Sequence, residues 1–181
     1  AIFERTYGPV KTELHASVPR EKTESEPVFY KAKSKLDDIE YLLVDGYNMI
    51  FAWDDLKKLA ETKLDDAREA LVRRLRNYQG FSQMPVIVVF DAYKVKNNPG
   101  SVERWGDFSV VYTKEAETAD MYIEKATYDL SRRHRVRVAT SDGMEQMIIL
   151  GNGALRVPAS AFLQELTDAE NAIRDYLRRT R

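Results

Sequence analysis

Four aspartates stand where short apolar runs give out. Tyr41 to Val44 ends at Asp45, Val86 to Phe90 ends at Asp91, and Val136 to Ser141 ends at Asp142. A fourth run, Phe108 to Tyr112, leads through Thr113 to Ala119 into Asp120. Short β-branched runs read as buried parallel strands. In an open α/β sheet the ligand sits beyond the carboxyl ends of such strands. Four carboxylates on one sheet edge repel each other and raise each other's pKa unless a cation neutralises them. Oxygen-only ligands favour Mg²⁺ or Mn²⁺. The pattern therefore predicts a metal-dependent phosphodiester enzyme, with Asp45, Asp91, Asp120 and Asp142 as catalytic and metal-binding residues.

Each acid also has a plainer explanation. Asp45 suits a turn or a helix cap, Asp120 the first turn of a helix whose dipole favours a carboxylate, and Ser141-Asp142 another cap. The repetition at equivalent strand ends is what favours chemistry. Gly46 lets the backbone turn sharply after Asp45, and Asn48 can orient Asp45 or a phosphate. Ser141 and Glu117 are supporting candidates. Lys94, Lys96 and Arg104, interleaved with Tyr93 and Trp105, pair cations for phosphate with rings for bases, as a single-stranded RNA contact does. An ordinary solvated loop explains them about as well. His134 has no suitably spaced partner, so a histidine metal site is not expected.

The elements needed to hold these residues follow from periodicity. Strands are expected over Tyr41 to Val44, Val86 to Phe90, Phe108 to Tyr112 and Val136 to Ala139, with Leu155 to Val157 a candidate fifth. Gly46-Tyr47-Asn48 reads as a turn, followed by an apolar patch from Met49 to Trp53. Helices are expected over Asp55 to Ala60, Leu64 to Tyr78 and about Glu117 to Arg132. A further helix begins near Asp142, and a last one is opened by Pro158. Residues 92 to 106 read as an exposed loop. Alternating strands and helices argue for a parallel sheet with right-handed crossovers.

The 181 residues, 44% hydrophobic and 31% charged, suffice for one domain and a modest extension. With no cysteine there is no disulfide framework or thiolate metal site. No apolar run approaches the roughly 20 residues of a membrane span, so no membrane association and a cytoplasmic location are expected. A net charge of −1 leaves any polyanion to a local basic patch. Residues 1–38 are polar and mixed in charge, and read as a partly disordered linker or connector; the domain proper is expected over 39–181. A chain that opens on Ala1 is expected to be cut from something longer.

The motifs Leu42-Leu43-Val44-Asp45-Gly46-Tyr47-Asn48, Val86 to Ala92, Tyr112 to Asp120 and Val138 to Asp142 resemble those of the NYN-domain (YacP-like) ribonucleases, within the PIN-like superfamily. Gly151 to Arg156 is similar to the family's next segment. The resemblance spans roughly residues 40 to 175. It implies an α/β, PIN-like three-layer sandwich with a central, mainly parallel sheet of about five strands, and divalent-metal-dependent endoribonuclease activity on single-stranded RNA. One bacterial branch, to which this sequence is similar, implies messenger RNA on the ribosome as the target. Separately, Ile2 to Gly8 resembles the connector after elongation-factor-G-like GTPases of the tetracycline-resistance type, which implies covalently attached upstream GTPase domains of a translation factor.

Two other readings compete. One is a catalytically silent RNA- or ribosome-binding module on the same fold, belonging to a translation-factor GTPase. The other is a receiver-like or phosphatase-like domain. A receiver needs a lysine after its last strand, where Arg156 is the nearby cation, and a haloacid-type phosphatase needs Asp-x-Asp where Asp45 is followed by Gly46.

Overall fold

The structure, a computed structural model, describes residues 39–92, 99–141 and 153–180. The linker expected over 1–38, the helix expected from Asp142, and Lys94 and Lys96 lie outside these residues. Six strands form one sheet: β1 (Glu40–Asp45), β2 (Val86–Phe90), β3 (Ser101–Trp105), β4 (Phe108–Tyr112), β5 (Arg135–Ala139) and β6 (Leu155–Val157). The helices are α1 (Gly46–Ala52), α2 (Asp54–Thr62), α3 (Leu64–Ser82), α4 (Ala119–Ser131) and α5 (Ala159–Arg179). The strand order is β3-β4-β2-β1-β5-β6. Every neighbouring pair is parallel except β3 with β4.

Side-chain alternation divides the core into two layers around the sheet. Leu42, Val44, Val88 and Val110 pack against Leu71 and Leu75 of α3 and Phe162 and Leu166 of α5. Leu43, Val89, Val111 and Val138 pack against Ala119 and Ile123 of α4. The result is the expected three-layer α/β sandwich. The chain passes from β1 to β2 and β4 on one side, then returns through α4 to β5 on the other side of β1. That reversal puts the topological switch point, where ligands bind in such sheets, beyond Asp45.

Two local expectations are corrected. Gly46-Tyr47-Asn48 is not a free turn but the first turn of α1. Asp45 caps it, accepting the Asn48 backbone N–H, which satisfies one of the donors a helix start leaves open. The loop expected over 92–106 contains β3, the antiparallel edge strand that brings the sheet to six. Every β3 residue is exposed, and Glu103 and Arg104 give this edge the charge that blunts pairing with other chains.

Trp53 ties the α1–α2 junction to α5. Its buried indole Nε1 donates to the Ala159 carbonyl at 2.9 Å, and its ring packs on Phe162. Among the described residues, no helix is long and apolar enough to cross a membrane.

Candidate functional site

Register determines which acids meet. Asp45 closes β1 level with Val89 of β2, so Asp91 lies just beyond the next strand's end. Alternation turns Asp45 and Asp91 toward the layer that holds Leu43, Val89 and α4. There α4 begins, with Asp120 in its first turn. Asp45, Asp91 and Asp120 line one cavity of about 340 Å³, and Asn48 and Ser141 line it with them. Three of the four predicted carboxylates thus share one space; Asp142, the residue after Ser141, lies outside the described residues.

Each side chain is held by a specific contact. Asp45 is 2% exposed. Its Oδ1 accepts the Asn48 backbone N–H at 3.1 Å and its Oδ2 accepts Asn48 Nδ2 at 2.6 Å. Asn48 Oδ1 in turn accepts the Ser141 hydroxyl, which links the end of β5 to the end of β1. Asp91 Oδ1 accepts the Ala119 backbone N–H at 2.7 Å, and the Thr118 hydroxyl accepts that of Met121 at 3.2 Å. Asp91 therefore both steadies the start of α4 and faces the cavity. Thr113, buried at the end of β4, accepts the Ala92 backbone N–H through its hydroxyl and fixes the chain just after Asp91.

The electrostatics are one-sided. Burial is the main cause that pushes Asp45 from 3.8 up to about 6; the two Asn48 donors pull it down, and the charges of Asp120 and Asp91 push it up further. No Lys or Arg is among the described residues that line the cavity. Among the described residues, no three acids close into a ready-made metal cage. The donor set still fits Mg²⁺ or Mn²⁺, since such an ion keeps several waters and needs only one or two carboxylates. Asp45, destabilised as an anion, and its two acidic neighbours are the groups that would hold it.

The remaining predicted residues fall elsewhere. Glu117, half-buried, precedes the Thr118 cap of α4 and does not line the cavity. Arg104 pairs with Ser109, near the amino end of β4 and three strands from β1. Strand spacing puts it roughly 15 Å from Asp45. Sequence reasoning missed Tyr47, Phe51 and Ala52, which line the cavity with Asn48 along one face of α1. Their i, i+4 spacing is visible only once Gly46 to Ala52 is read as a helix.

A larger cavity, about 670 Å³, lies between α3 and the β3–β4 edge. It mixes Arg68, Arg73 and Arg76 with Asp65, Glu69 and Glu103. Its described charges are matched, whereas the described lining of the smaller cavity includes acids and no Lys or Arg.

The profile of the YacP-like NYN domain matches residues 42–181. YacP of Bacillus subtilis (strain 168), itself described as uncharacterized, is 42% identical over 144 residues, which cover 78% of this chain and 83% of that protein. The crystal structure of Rae1 (YacP) from Bacillus subtilis superposes with a TM-score of 0.66 at 40% identity, covering 79% of this chain and 81% of the other. A mutant form of the same protein gives a TM-score of 0.68 over 78% and 84%. Sheet, site and family profile agree, and the chain belongs to the YacP-like NYN domain family.

Proposed function

We propose that this chain is a divalent-metal-dependent endoribonuclease that cuts single-stranded RNA, with messenger RNA on the ribosome as its target. The observation that carries the reading is the buried Asp45 carboxylate. It faces Asp91 and Asp120 across a cavity without a described cation, at the switch point of the sheet. Family membership supports a ribonuclease-type activity, and supports RNA as the partner. The proposed nuclease domain spans residues 39–181.

In this reading Asp45, Asp91 and Asp120 hold Mg²⁺ or Mn²⁺, joined by Asp142. When bound there, such an ion would supply charge neutralisation and Lewis acidity toward a phosphoryl oxygen and a water. Asn48 keeps Asp45 in one rotamer through two hydrogen bonds, so the carboxylate meets its partner without reorganising. Ser141, anchored on Asn48, places a hydroxyl at the cavity wall for phosphate or water. Lys94, Lys96 and Arg104 are the RNA contacts in this reading, Arg104 a few nucleotides from the cut.

The test is cleavage of a single-stranded oligoribonucleotide, free and ribosome-bound, with Mn²⁺, by the wild type and by Asp45→Asn. Cutting by the wild type and its loss in the variant is the expected result. Equal cutting by both removes the metal mechanism. Cutting by neither, even on ribosomes, makes the chain a silent binding module.

A further inference from the structure

We propose that Arg156 is a phosphate-binding residue that holds the RNA backbone at a linkage flanking the one that is cut. The proposal rests on the ribonuclease reading above and names how a site walled by acids grips a polyanion.

Four buried side-chain polar atoms among the described residues lack a hydrogen-bond partner: Thr127 Oγ1, Ser131 Oγ, His134 Nδ1 and Arg156 Nε. Of these, Arg156 is the one that carries a permanent charge. It is half-buried in β6 and enters no ion pair among the described residues. Taking a cation out of water without a counter-charge is costly. The neighbouring strand shows the ordinary remedy. Arg137 of β5 donates both Nη groups to Glu165, and its Nε lies 3.7 Å from Glu40. An anion that docks at Arg156 meets a charge the fold leaves uncompensated.

Register places that charge. Arg156 pairs with Val138, which packs in the layer of Leu43 and α4. Paired residues on neighbouring strands share a face, so Arg156 rises on the face toward which Asp45 turns. It stands two strands from β1 and level with Leu43. Strand spacing puts it roughly 12 Å from Asp45. The carbonyl of the next residue, Val157, accepts the Thr140 backbone N–H at 3.3 Å, which fixes β6 against the segment that presents Ser141 to the cavity. Arg156 does not line that cavity, whose described lining has three acids and no Lys or Arg. Such a wall repels phosphate, so the strand is held from beyond it. A guanidinium suits this: its planar fork matches two phosphate oxygens and it stays charged. The separation fits a flanking linkage rather than the one at the acids.

The test measures kcat and KM in Mn²⁺, over a series of KCl concentrations, for the full chain and for Arg156→Met and Arg156→Lys. The substrates are single-stranded oligoribonucleotides in which one neutral methylphosphonate linkage, set after a 2′-deoxy nucleotide, is walked along the strand against 2′-deoxy controls. Arg156→Met is expected to raise KM by about 10- to 100-fold with kcat little changed. It should also lower the slope of log KM against log salt by about 0.7, the share of one phosphate contact on a single strand. Arg156→Lys should keep the salt slope and lose part of the affinity. One neutral linkage should weaken the wild type by a similar factor and the methionine variant no further. Thermal melts without RNA separate binding from folding: Arg156→Met should leave Tm unchanged or raise it, since no ion pair is lost. A wild-type KM in Arg156→Met, a neutral-linkage penalty of full size at every position in that variant, or a marked fall in its Tm overturns the phosphate site while the ribonuclease reading stands. A wild type that cuts no RNA defeats both.

Discussion

Two acids, the buried Asp45 and the half-buried Glu165, show how differently one fold treats a carboxylate. Glu165 on α5 receives both Nη groups of Arg137, at 2.9 and 2.6 Å, and the Tyr78 hydroxyl. The Arg137 contact leads the causes that hold its pKa below the usual range. Asp45 is more deeply buried and receives only neutral donors from Asn48, and its carboxyl rises to about 6. At Glu165 the charges are matched within the protein and fasten α5 to β5 and α3. Around Asp45 the described lining gathers acids and no Lys or Arg. In the proposed reading a divalent cation neutralises that charge.

The largest effect that would break this contrast is on chemistry. Asp45→Asn should lower Mn²⁺-dependent RNA cutting by about 100- to 1000-fold, comparable to removing a preorganised catalytic group. Retention of most of the activity would make Asp45 a helix cap and nothing more.

Stability should move the opposite way. Between the ordinary value near 3.8 and the folded value near 6, the native chain holds a proton on Asp45 that the unfolded chain has released. Stability without metal should therefore fall as pH rises through that window, by about 3 kcal/mol. Denaturant unfolding of the metal-free wild type and of Asp45→Asn checks this: the fall should be confined to the wild type. Glu165 gives the reverse sign. Its depressed pKa contributes stability that is present above the unfolded value of about 4.5 and lost as pH falls. Glu165→Gln should cost about 1–3 kcal/mol at neutral pH, because it leaves the Arg137 guanidinium partly uncompensated. A thermal melt reads this directly, and RNA cutting should be unchanged in the protein that remains folded. Smaller still, Asn48→Ala should reduce cutting by about 10-fold by freeing the Asp45 rotamer, and Ser141→Ala by less.

How much of this was legible beforehand depends on the segment. Strands β1, β2, β4 and β5 announce themselves as short apolar runs, and two of them, β1 and β2, stop at or next to an aspartate. The central sheet and its acidic edge could therefore be read from composition alone. β3 was invisible, because Ser101-Val102-Glu103-Arg104-Trp105 has the polarity of a loop and is a strand only through its pairing with β4. α1 was hidden for a different reason. Gly46-Tyr47-Asn48 carries turn chemistry, and the Asp45–Asn48 cap converts it into a helix. With that helix unseen, Tyr47 and Phe51 could not be assigned to the site. Gly46 was expected to serve a sharp turn or a close ligand; the neighbour it accommodates is the Phe90 ring, which a Cβ there would strike. Arg104 reads as an RNA contact beside Trp105, and its pairing with Ser109 sets it three strands from β1, a distance that no local pattern announces.

The central claim is that the acids around Asp45 are arranged for a divalent cation. Paramagnetic broadening of backbone amide signals by Mn²⁺ at neutral pH tests it most directly. The account predicts broadening centred on Asp45 to Asn48, the Asp91 region, Ala119-Asp120 and Ser141, and its loss in Asp45→Asn. Broadening scattered over outward acids such as Asp54 and Asp55, or unchanged by the substitution, would contradict it.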